Sequence, residues 1–320
     1  MGHTILLLET IADAAMQILS TAKDVTVVTG FDKSTLQQAI KTHHIDAIIT
    51  RGKGQVRAGL MDKLPRLKVI ARCGVGLDNI DVTEATKRGI KVVNAPNSNA
   101  NTIAEHTISL LLILQRNLYN AITLVKEGLW KERASYSGDE IHGKTLGILG
   151  MGNIGKKVAR IAYAMGMNVM YWSAQKEDVP YSFESFETVI KMADSISLHL
   201  PLTSKTEKLI DSKALSLMKP TALLINTARG GIIDQKALTI ALENHKIGGF
   251  AADVLATEPP ELNETITKHP NTYITPHVGS LTSTTYAKMC TMTVENTIAL
   301  LTNNTPTENC VFNQASLGLN

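Results

Sequence analysis

The feature that most constrains the fold is a regular alternation of short apolar runs and amphipathic segments over most of the 320 residues. The apolar runs are rich in β-branched residues, which is typical of buried strands, and the segments between them have helical spacing. This alternation predicts parallel strands with helices on both faces of the sheet. In the first third, the predicted strands are Ile5–Leu8, Val25–Val28, Ala47–Thr50, Lys68–Ala71 and Lys91–Asn94. The helices predicted between them are Ala12–Ser20, Ser34–Thr42 and Val82–Arg88, the last followed by Gly89 at a C-cap position.

A second series of strands follows one long helical stretch, predicted from Asn101 to Glu127. Its predicted strands are Leu146–Leu149, Val169–Trp172, Ser195–His199, Ala222–Asn226, Gly249–Val254 and Tyr273–Thr275. A final helix, predicted from Thr285 to Leu301, can carry the chain back to the first series. We therefore predict two doubly wound parallel-sheet α/β domains: residues 100–284 are inserted into a discontinuous flavodoxin-like domain made of residues 1–99 and 285–320. The polar tail after Thr302 is predicted to be mobile.

Composition excludes several classes of protein. Hydrophobic residues make up 44% and charged residues 19%, and the formal charge of +3 is too small for a nucleic-acid surface. The apolar runs are shorter than the ~20 residues that cross a bilayer, and the chain begins on a strand-like run with no secretory leader, so we expect no membrane partner and no export. Three isolated cysteines fit the reducing cytoplasm and predict no metal site. Cys73, beside two glycines, either fills space or contacts a ligand.

A glycine-rich loop lies between the predicted strand Leu146–Leu149 and the helical segment after it. Its sequence is Gly150-Met151-Gly152-Asn153-Ile154-Gly155. Gly150 permits a tight turn, Gly152 lets the backbone approach a pyrophosphate, and Gly155 allows close packing of helix on strand. The N–H groups and dipole at the start of the helix then receive the phosphates. The loop predicts a Rossmann-type dinucleotide-binding domain at 100–284, which leaves the other domain to bind the substrate.

The cofactor's ribose is read at the end of the next strand, where a carboxylate would favour NAD. This chain carries Ser173 there, and no acidic residue precedes Glu177. A hydroxyl with the ammonium of Lys176 nearby can accommodate a 2′-phosphate. The predicted cofactor is therefore NAD or NADP, with NADP favoured. If Lys176 is only a solvated surface charge, the site is indifferent between the two.

Three reactive side chains follow three strands late in the chain. Arg229 comes after the strand ending at Asn226, Glu258 lies in the next strand's loop, and His277 follows the last strand. The carboxyl ends of parallel strands form the edge where open α/β sheets bind ligands, so we expect these groups to lie close together. Each residue alone has a structural explanation, as a cap, an exposed turn or a packed imidazole. Their joint order indicates a catalytic site.

The chain resembles the D-isomer-specific 2-hydroxyacid dehydrogenase family over nearly its whole length. Besides the glycine loop, the segments that carry the resemblance are 71–81, 94–96, 104–106, 226–231, Asp253-Val254 with Glu258-Pro259, and Thr275-Pro276-His277. The resemblance implies a nicotinamide-dependent enzyme that interconverts a small D-2-hydroxy acid and its 2-keto acid. The substrates it suggests are 3-phosphoglycerate and phosphohydroxypyruvate, or glyoxylate and hydroxypyruvate. It also implies that Arg229, Glu258 and His277 form the catalytic trio.

The chemistry of such a reduction explains the three residue types. His277 can supply the proton that the carbonyl oxygen gains, because imidazole titrates near neutral pH. Glu258 would favour the imidazolium form and orient the ring. Arg229 can grip the substrate carboxylate with two charge-assisted hydrogen bonds and polarise the carbonyl. We expect the three groups to meet over the nicotinamide ring, in a cleft between two lobes.

Further roles rest on the resemblance alone. Asp253 is expected near the nicotinamide amide. The other residues expected to line the cofactor are Asn153, Ile154, Pro201, Thr206, Thr227, Ala228, Arg229, His277 and Gly279. The loop expected to present backbone N–H groups to the substrate carboxylate consists of Arg72, Cys73, Gly74, Val75 and Gly76. Arg51 and Arg72 match positions that bind the substrate phosphate in phosphoglycerate dehydrogenases; salt bridging or helix capping is the alternative.

Two rival functions use the same fold. Cofactor-sensing transcriptional corepressors would retain the glycine loop with little turnover, and the complete trio favours an enzyme over that class. Formate dehydrogenases are related but do not use this Arg–Glu–His arrangement. Trp130 resembles part of an arm that joins two copies, so we expect a homodimer, although core packing explains that residue equally well. Because the chain stops soon after the final helix, we expect no regulatory extension of the kind that many phosphoglycerate dehydrogenases carry.

Overall fold

The computed structural model describes residues 2–261 and 263–318. Two compact units are defined by contacts: the first comprises the chain up to Asn99 and from Leu281 onward, and the second is Ala100–Ser280. The strands are β1 (His3–Leu7), β2 (Val25–Thr29), β3 (Ala47–Thr50), β4 (Val69–Arg72), β5 (Lys91–Val93), β6 (Thr145–Leu149), β7 (Asn168–Trp172), β8 (Ser182–Phe183), β9 (Ser195–Leu198), β10 (Leu223–Asn226), β11 (Gly249–Ala252) and β12 (Thr272–Ile274). The α-helices are α1 (Asp13–Thr21), α2 (Lys33–Thr42), α3 (Ala58–Met61), α4 (Val82–Lys87), α5 (Ala100–Gln115), α6 (Leu118–Lys126), α7 (Asn153–Ala164), α8 (Phe186–Met192), α9 (Ser212–Leu217), α10 (Gln235–Glu243), α11 (Thr265–Lys268) and α12 (Ser283–Leu301).

The first unit is built on a five-stranded parallel sheet in the order β2-β1-β3-β4-β5. Successive residues of a strand point to opposite faces, and both faces are buried. Ile5 and Leu7 pack against α1 and α12 on one face, whereas Leu6 and Leu8 pack against α2, α3 and α4 on the other. The doubly wound arrangement predicted for this part of the chain is confirmed.

The second unit contains a seven-stranded parallel sheet in the order β12-β11-β10-β9-β6-β7-β8. Helices α5 and α7 cover one face and α8, α9 and α10 the other. The strand order reverses between β6 and β9, which opens a crevice at their carboxyl ends. All six predicted strands are present, and the additional two-residue β8 is too short to leave a periodic signal.

The prediction of one long helix from residue 101 to 127 is wrong. The chain forms α5 and α6 instead, and they are bent by 67° at the break between them. Asn117 adopts the left-handed conformation at φ +47° there, which asparagine tolerates better than most residues. α5 lies buried over the sheet, whereas α6, whose residues are all described, buries none of them. No single helix in the described residues is long and apolar enough to span a membrane. Among these residues, only the bent pair α5 and α6, taken together, reaches the required length and hydropathy.

The prediction of a mobile tail after Thr302 is also wrong. Val311 forms a β-bridge with Val93, and Cys310 and Val311 are buried. The Asn313 side-chain oxygen accepts a 2.9 Å hydrogen bond from the backbone N–H of Val92, while its amide group donates to Ile90. Asn313 thus satisfies backbone groups beside the edge strand β5, and this end of the segment is docked on the first unit although most of its polar residues are exposed.

Candidate active site

The glycine loop connects β6 to α7 and has the shape that a pyrophosphate requires. Gly150 lies at φ +103°, and a Cβ there would come within 2.5 Å of the His199 carbonyl oxygen. A Cβ on Gly155 would come within 2.1 Å of the Gly150 carbonyl oxygen, so helix and loop pack too closely for any other residue. By contrast, apart from Gly152 itself and its two neighbours in the chain, no atom of the described residues lies within 4 Å of a Cβ built on Gly152. The N-terminus of α7 is therefore open to an anion, and these residues fit a dinucleotide.

The residue predicted to read the cofactor's ribose, Ser173, lies just after β7. Ser173 is half-buried, and its hydroxyl donates a hydrogen bond to the Gln175 carbonyl oxygen. Lys176 is exposed in the same turn. The acidic Glu177 is engaged by Lys156 of α7 through a 2.7 Å ion pair. The turn therefore presents a hydroxyl and an exposed cationic side chain, and its carboxylate is partly neutralised.

The remaining cofactor positions predicted in this unit lie in two loops and at the start of α7. Thr206 donates a 2.6 Å hydrogen bond to the Pro201 carbonyl oxygen and closes the loop after β9. At the end of β10, Thr227 is buried with its hydroxyl 2.8 Å from that of Thr107, and the Ala228 N–H donates to Asn226. The first two residues of α7 are Asn153, which is exposed, and Ile154, which is half-buried.

The centre of the site is a hydrogen bond between His277 and Glu258. The imidazole Nδ1 lies 2.7 Å from Glu258 Oε2, and the other carboxylate oxygen accepts a 3.0 Å hydrogen bond from the Leu255 N–H. The carboxylate is thus held by the backbone on one side and orients the ring on the other. Nε2 is left as the atom through which the ring can exchange a proton with a ligand.

The same hydrogen bond shifts the pKa values of both partners. Hydrogen bonding to Glu258 raises the pKa of His277 above its ordinary value, against the opposing effect of burial. Burial by itself would raise the pKa of Glu258, but the hydrogen bond and charge of His277, together with the Leu255 N–H, outweigh burial and the pKa is lowered. The guanidinium of Arg229 acts on the His277 pKa in the opposite direction to Glu258, as a neighbouring cation does. The pair therefore favours imidazolium beside carboxylate.

Arg229 lies at the carboxyl end of β10, where it precedes a short 3₁₀ turn over Gly230–Ile232. Its Nη1 donates a 2.7 Å hydrogen bond to the Ala228 carbonyl oxygen, and its own carbonyl oxygen accepts from the Asn226 side chain. A Cβ on Gly230 would come within 2.0 Å of the Leu255 backbone, so the loops carrying Arg229 and Glu258 pack against each other. The three predicted catalytic residues all lie at one edge of the second unit's sheet.

Asp253 is buried behind His277 and holds the turn on which that residue lies. Its Oδ1 accepts hydrogen bonds from the Val278 N–H at 2.9 Å and the Thr275 hydroxyl at 2.5 Å, and its Oδ2 accepts from the Gly279 N–H at 2.8 Å. Burial would raise the pKa of Asp253, but these donors and His106 lower it overall. The predicted contact with a nicotinamide amide stays a prediction.

In the first unit, Arg51 is held by two partners. Its Nη1 donates to the Tyr286 hydroxyl at 3.1 Å, and its Nε lies 3.7 Å from Glu9. The buried Glu9 also accepts four hydrogen bonds, from the Thr50 hydroxyl and from the backbone N–H groups of Arg51, Gly52 and Gly54. Glu9 left no signal in the sequence, because its partners lie more than forty residues away.

In the loop after β4, several of the groups predicted to bind the substrate already form contacts within the first unit. The Cys73 side chain is buried in the core with Cys290, which favours the packing role over ligand contact. The N–H of Cys73 donates to the Thr50 carbonyl oxygen and that of Gly74 donates to Arg72, both at 2.8 Å. Arg72 folds back over Gly74, since a Cβ there would come within 2.4 Å of its guanidinium.

Comparisons with known proteins agree with this architecture. Residues 108–279 match the family model described as D-isomer specific 2-hydroxyacid dehydrogenase, NAD binding domain. The chain is 40% identical over 284 residues to the D-3-phosphoglycerate dehydrogenase of Methanocaldococcus jannaschii, covering 87% of this chain and 53% of that one. It is 39% identical over 270 residues to the glyoxylate reductase of Thermococcus litoralis, covering 81% of each chain.

Among solved structures, the crystal structure of the NADPH-dependent glyoxylate/hydroxypyruvate reductase of Sinorhizobium meliloti superposes with a TM-score of 0.85 at 28% identity, covering 93% of this chain and 95% of that one. The chain spans about half the length of the curated phosphoglycerate dehydrogenases that it matches. The family match covers more than half of this chain and includes the glycine loop, Arg229, Glu258 and His277. The resemblance is thus confirmed: the chain belongs to the D-isomer specific 2-hydroxyacid dehydrogenase family.

Proposed function

We propose that this protein is an NAD(P)-dependent D-2-hydroxyacid dehydrogenase that reduces a small 2-keto acid. The observation that carries the proposal is the 2.7 Å hydrogen bond between His277 and Glu258. This bond raises the pKa of the imidazole, which favours its charged form, and leaves Nε2 available to a ligand. Arg229, the neighbouring cation, complements a substrate carboxylate. The second unit would hold the cofactor and the first unit the substrate.

Each group then has one task in the reaction. A bound reduced nicotinamide supplies the hydride to the carbonyl carbon. His277 donates its Nε2 proton to the carbonyl oxygen, and Glu258 stabilises the imidazolium before that transfer. Arg229 binds the substrate carboxylate and withdraws charge from the adjacent carbonyl. On the first unit, the Val75 and Gly76 N–H groups are assigned to the carboxylate, since Cys73 and Gly74 already donate within the unit.

Two substrate classes are supported by the relatives, which are named for phosphoglycerate, glyoxylate and hydroxypyruvate. The first unit contains a cavity of about 420 Å³ at the carboxyl ends of β1, β2 and β3. Its lining includes three cations, Lys33, Arg51 and Lys53, and two carboxylates, Glu9 and Asp32. The excess of cations favours a keto acid with a second anionic group, so we place phosphohydroxypyruvate before hydroxypyruvate and glyoxylate.

An assay of several 2-keto acids with both reduced cofactors tests the proposal. We expect loss of absorbance at the reduced-nicotinamide band with at least one of phosphohydroxypyruvate, hydroxypyruvate and glyoxylate. The Arg229→Ala variant is expected to lower kcat/KM for the keto acid by about a hundredfold. Tight cofactor binding without turnover of any 2-keto acid would instead support a cofactor-sensing protein of the same fold.

For the cofactor we propose a preference for NADP(H). Ser173 stands where a carboxylate would repel a 2′-phosphate, and Lys176 is exposed beside it. The Ser173 hydroxyl, which donates within its own turn, would exchange that bond for one to the phosphate. Ser173→Asp should shift the ratio of kcat/KM values towards NADH by about tenfold or more, and Ser173→Ala should reduce use of NADPH without improving use of NADH. Unchanged ratios in both variants would assign the ribose to another residue.

We also propose that two copies associate through α6 and the turn after it. Four apolar side chains on this surface are more than half exposed: Tyr119, Ile122, Val125 and Trp130. An apolar surface of this kind is seldom left in water, and self-association through it follows the commonest symmetry of soluble proteins. Ile122→Glu should convert a dimer to a monomer in sedimentation velocity. Ile240→Glu, at an equally exposed apolar residue of α10, is the matched control and should leave the dimer intact.

We infer that the protein works in the cytoplasm. All three cysteines are free and buried in the structure, as they remain in a reducing compartment. Fractionation of the native host with an antibody against the chain is the direct test, and recovery in the membrane or secreted fraction would refute the inference.

A further inference from the structure

His277 has an unusual backbone conformation that its neighbours must maintain. Its φ is +55°, in the left-handed region that only a small fraction of non-glycine residues adopt. Such a conformation costs free energy and persists only where surrounding contacts impose it. The His277 turn, meaning residues 275–279, is therefore not determined by Glu258 alone. Glu258 orients the ring, and another set of contacts must hold the backbone.

Those contacts converge on the Asp253 carboxylate. The backbone N–H groups of Val278 and Gly279, the two residues after His277, both donate to it. A Cβ on Gly279 would come within 2.7 Å of Asp253 Oδ2, so the turn and the carboxylate are in direct contact. Asp253 is 2% exposed, which keeps these hydrogen bonds out of competition with water.

His106, on α5, connects the helix layer to this turn. Its Nε2 lies 3.0 Å from the Thr275 hydroxyl oxygen and 3.5 Å from Asp253 Oδ1. The single hydroxyl hydrogen of Thr275 points to Asp253, because an ionised carboxylate can only accept. The Thr275 oxygen is then left to accept, and the Nε2 of His106 must carry the hydrogen that it donates.

The next residue of α5 makes an equivalent contact at β10, which is separated from β12 by β11. The Thr107 hydroxyl lies 2.8 Å from that of Thr227, at the carboxyl end of β10, and also donates to the Ile103 carbonyl oxygen. One turn of α5 thus reaches the ends of both β10 and β12. Since α5 is a 16-residue helix packed on the sheet, it offers a rigid reference for the strand ends.

We propose that His106 is a positioning residue that holds the His277 turn through Thr275. It touches neither substrate nor cofactor in this role. By donating to Thr275, it orients the hydroxyl towards Asp253, whose two oxygens then hold the N–H groups on the far side of His277. Loss of the donor would let the turn relax from the left-handed conformation and carry the imidazole away from Glu258. The kinetic consequence rests on the proposed function, whereas the effect on the His277–Glu258 pair does not.

The test compares two substitutions that differ only in the donor. His106→Gln keeps an N–H group near the Nε2 position, and His106→Leu replaces it with apolar atoms of similar volume. We expect His106→Leu to lower kcat for keto-acid reduction about tenfold while the cofactor Kd changes less than about twofold, because a displaced proton donor affects the chemical step and not cofactor binding. His106→Gln should recover most of the lost kcat.

A second measurement does not depend on turnover. Histidine-labelled protein is titrated by NMR, with the His277 resonance assigned from the His277→Gln variant. In His106→Leu the pKa of His277 should fall towards its ordinary value, because the hydrogen bond to Glu258 that raises it is weakened. In His106→Gln the pKa should stay close to that of the parent protein.

The outcomes separate the two hypotheses. An unshifted His277 pKa in His106→Leu, or equal losses in the Leu and Gln variants, would overturn the positioning role. A shifted pKa in a protein that reduces no 2-keto acid would uphold the positioning role and reject the proposed function. If His106→Leu does not fold, Thr275→Val and Thr275→Ser test the same link, since the first removes the hydroxyl and the second keeps it. We then expect the fall in the His277 pKa only in Thr275→Val.

Discussion

Two glutamates near the strand ends of the two sheets have opposite properties. Glu9, in the first unit, is 8% exposed and accepts four hydrogen bonds from backbone N–H groups and a hydroxyl. Glu258, in the second unit, has a side chain that is 38% exposed and accepts from one N–H and from the imidazole of His277. Both carboxylates have lowered pKa values. The two carboxylates differ in their hydrogen-bond donors: only Glu258 has a donor, the imidazole of His277, that can lose its proton near neutral pH.

The donors decide what each carboxylate can do. N–H and hydroxyl groups do not titrate near neutral pH, so the Glu9 cluster is fixed over the whole physiological range. An imidazole does titrate in this range, so His277, paired with Glu258, can donate a proton and then be protonated again. A buried carboxylate with permanent donors holds a loop in place. A partly exposed carboxylate with a titratable donor controls a proton.

Replacement of the titratable donor should have the largest effect. We expect His277→Ala to lower kcat for keto-acid reduction by about a hundredfold or more, because positioned acid–base catalysis is lost. The cofactor Kd, measured by quenching of protein fluorescence, should change little. Turnover close to that of the parent protein would remove His277 from the proton-donor role and with it the contrast between the two glutamates.

Glu9→Gln should destabilise the fold without changing the pH dependence of catalysis. Burial opposes ionisation of Glu9, but the N–H and hydroxyl donors lower its pKa from 4.5 to about 2, which corresponds to about 3 kcal/mol of stability. Since the folded-state pKa is the lower one, this contribution is present above about pH 4.5 and is lost as the pH falls towards 2. Urea unfolding at pH 7 and pH 3 measures it. The variant should be less stable at pH 7 and should lack this part of the acid dependence; equal stability of variant and parent at pH 7 would contradict the prediction.

Glu258→Gln should move the pH profile of the reaction. Reduction requires the imidazolium form, so kcat/KM is constant below the pKa of His277 and falls above it. Glu258 raises that pKa, and its neutral replacement should shift the alkaline limb to lower pH, with about a tenfold loss of kcat/KM at pH 8. Stability at pH 7 should change less than in Glu9→Gln. An unmoved alkaline limb would separate Glu258 from the titration of His277.

The smallest effect is expected for Arg51→Lys. The Arg51 side chain is 34% exposed and lies 3.7 Å from Glu9, so this ion pair adds at most about 1 kcal/mol to stability. The four hydrogen bonds that hold Glu9 do not involve the guanidinium and should persist. A loss near that of Glu9→Gln, measured by the same urea titration, would show that the arginine, and not the backbone, holds the carboxylate.

Local patterns in the chain were sufficient to predict much of this structure. Strands such as Ala47–Thr50 were predicted at their observed bounds, because continuous β-branched runs buried on both faces leave a strong signal. Arg229, Glu258 and His277 were also predicted, because parallel strands bring their carboxyl ends to one edge in a way that spacing along the chain reveals.

Other features depend on partners far away in the sequence. Glu9 is defined by donors more than forty residues later, and Asn313 by β5, more than two hundred residues earlier. Likewise, His106 gains its role only when α5 is placed over the end of β12.

The sequence alone therefore determined the two parallel sheets, the glycine loop and the placement of Arg229, Glu258 and His277 at one sheet edge, because periodicity and strand-end position are local properties of the chain. Only the tertiary structure showed that Glu9 is buried and fixed by donors that do not titrate, whereas Glu258 is partly exposed beside its imidazole. That distinction depends on burial and on the identity of the donor, and both are set by contacts between distant segments.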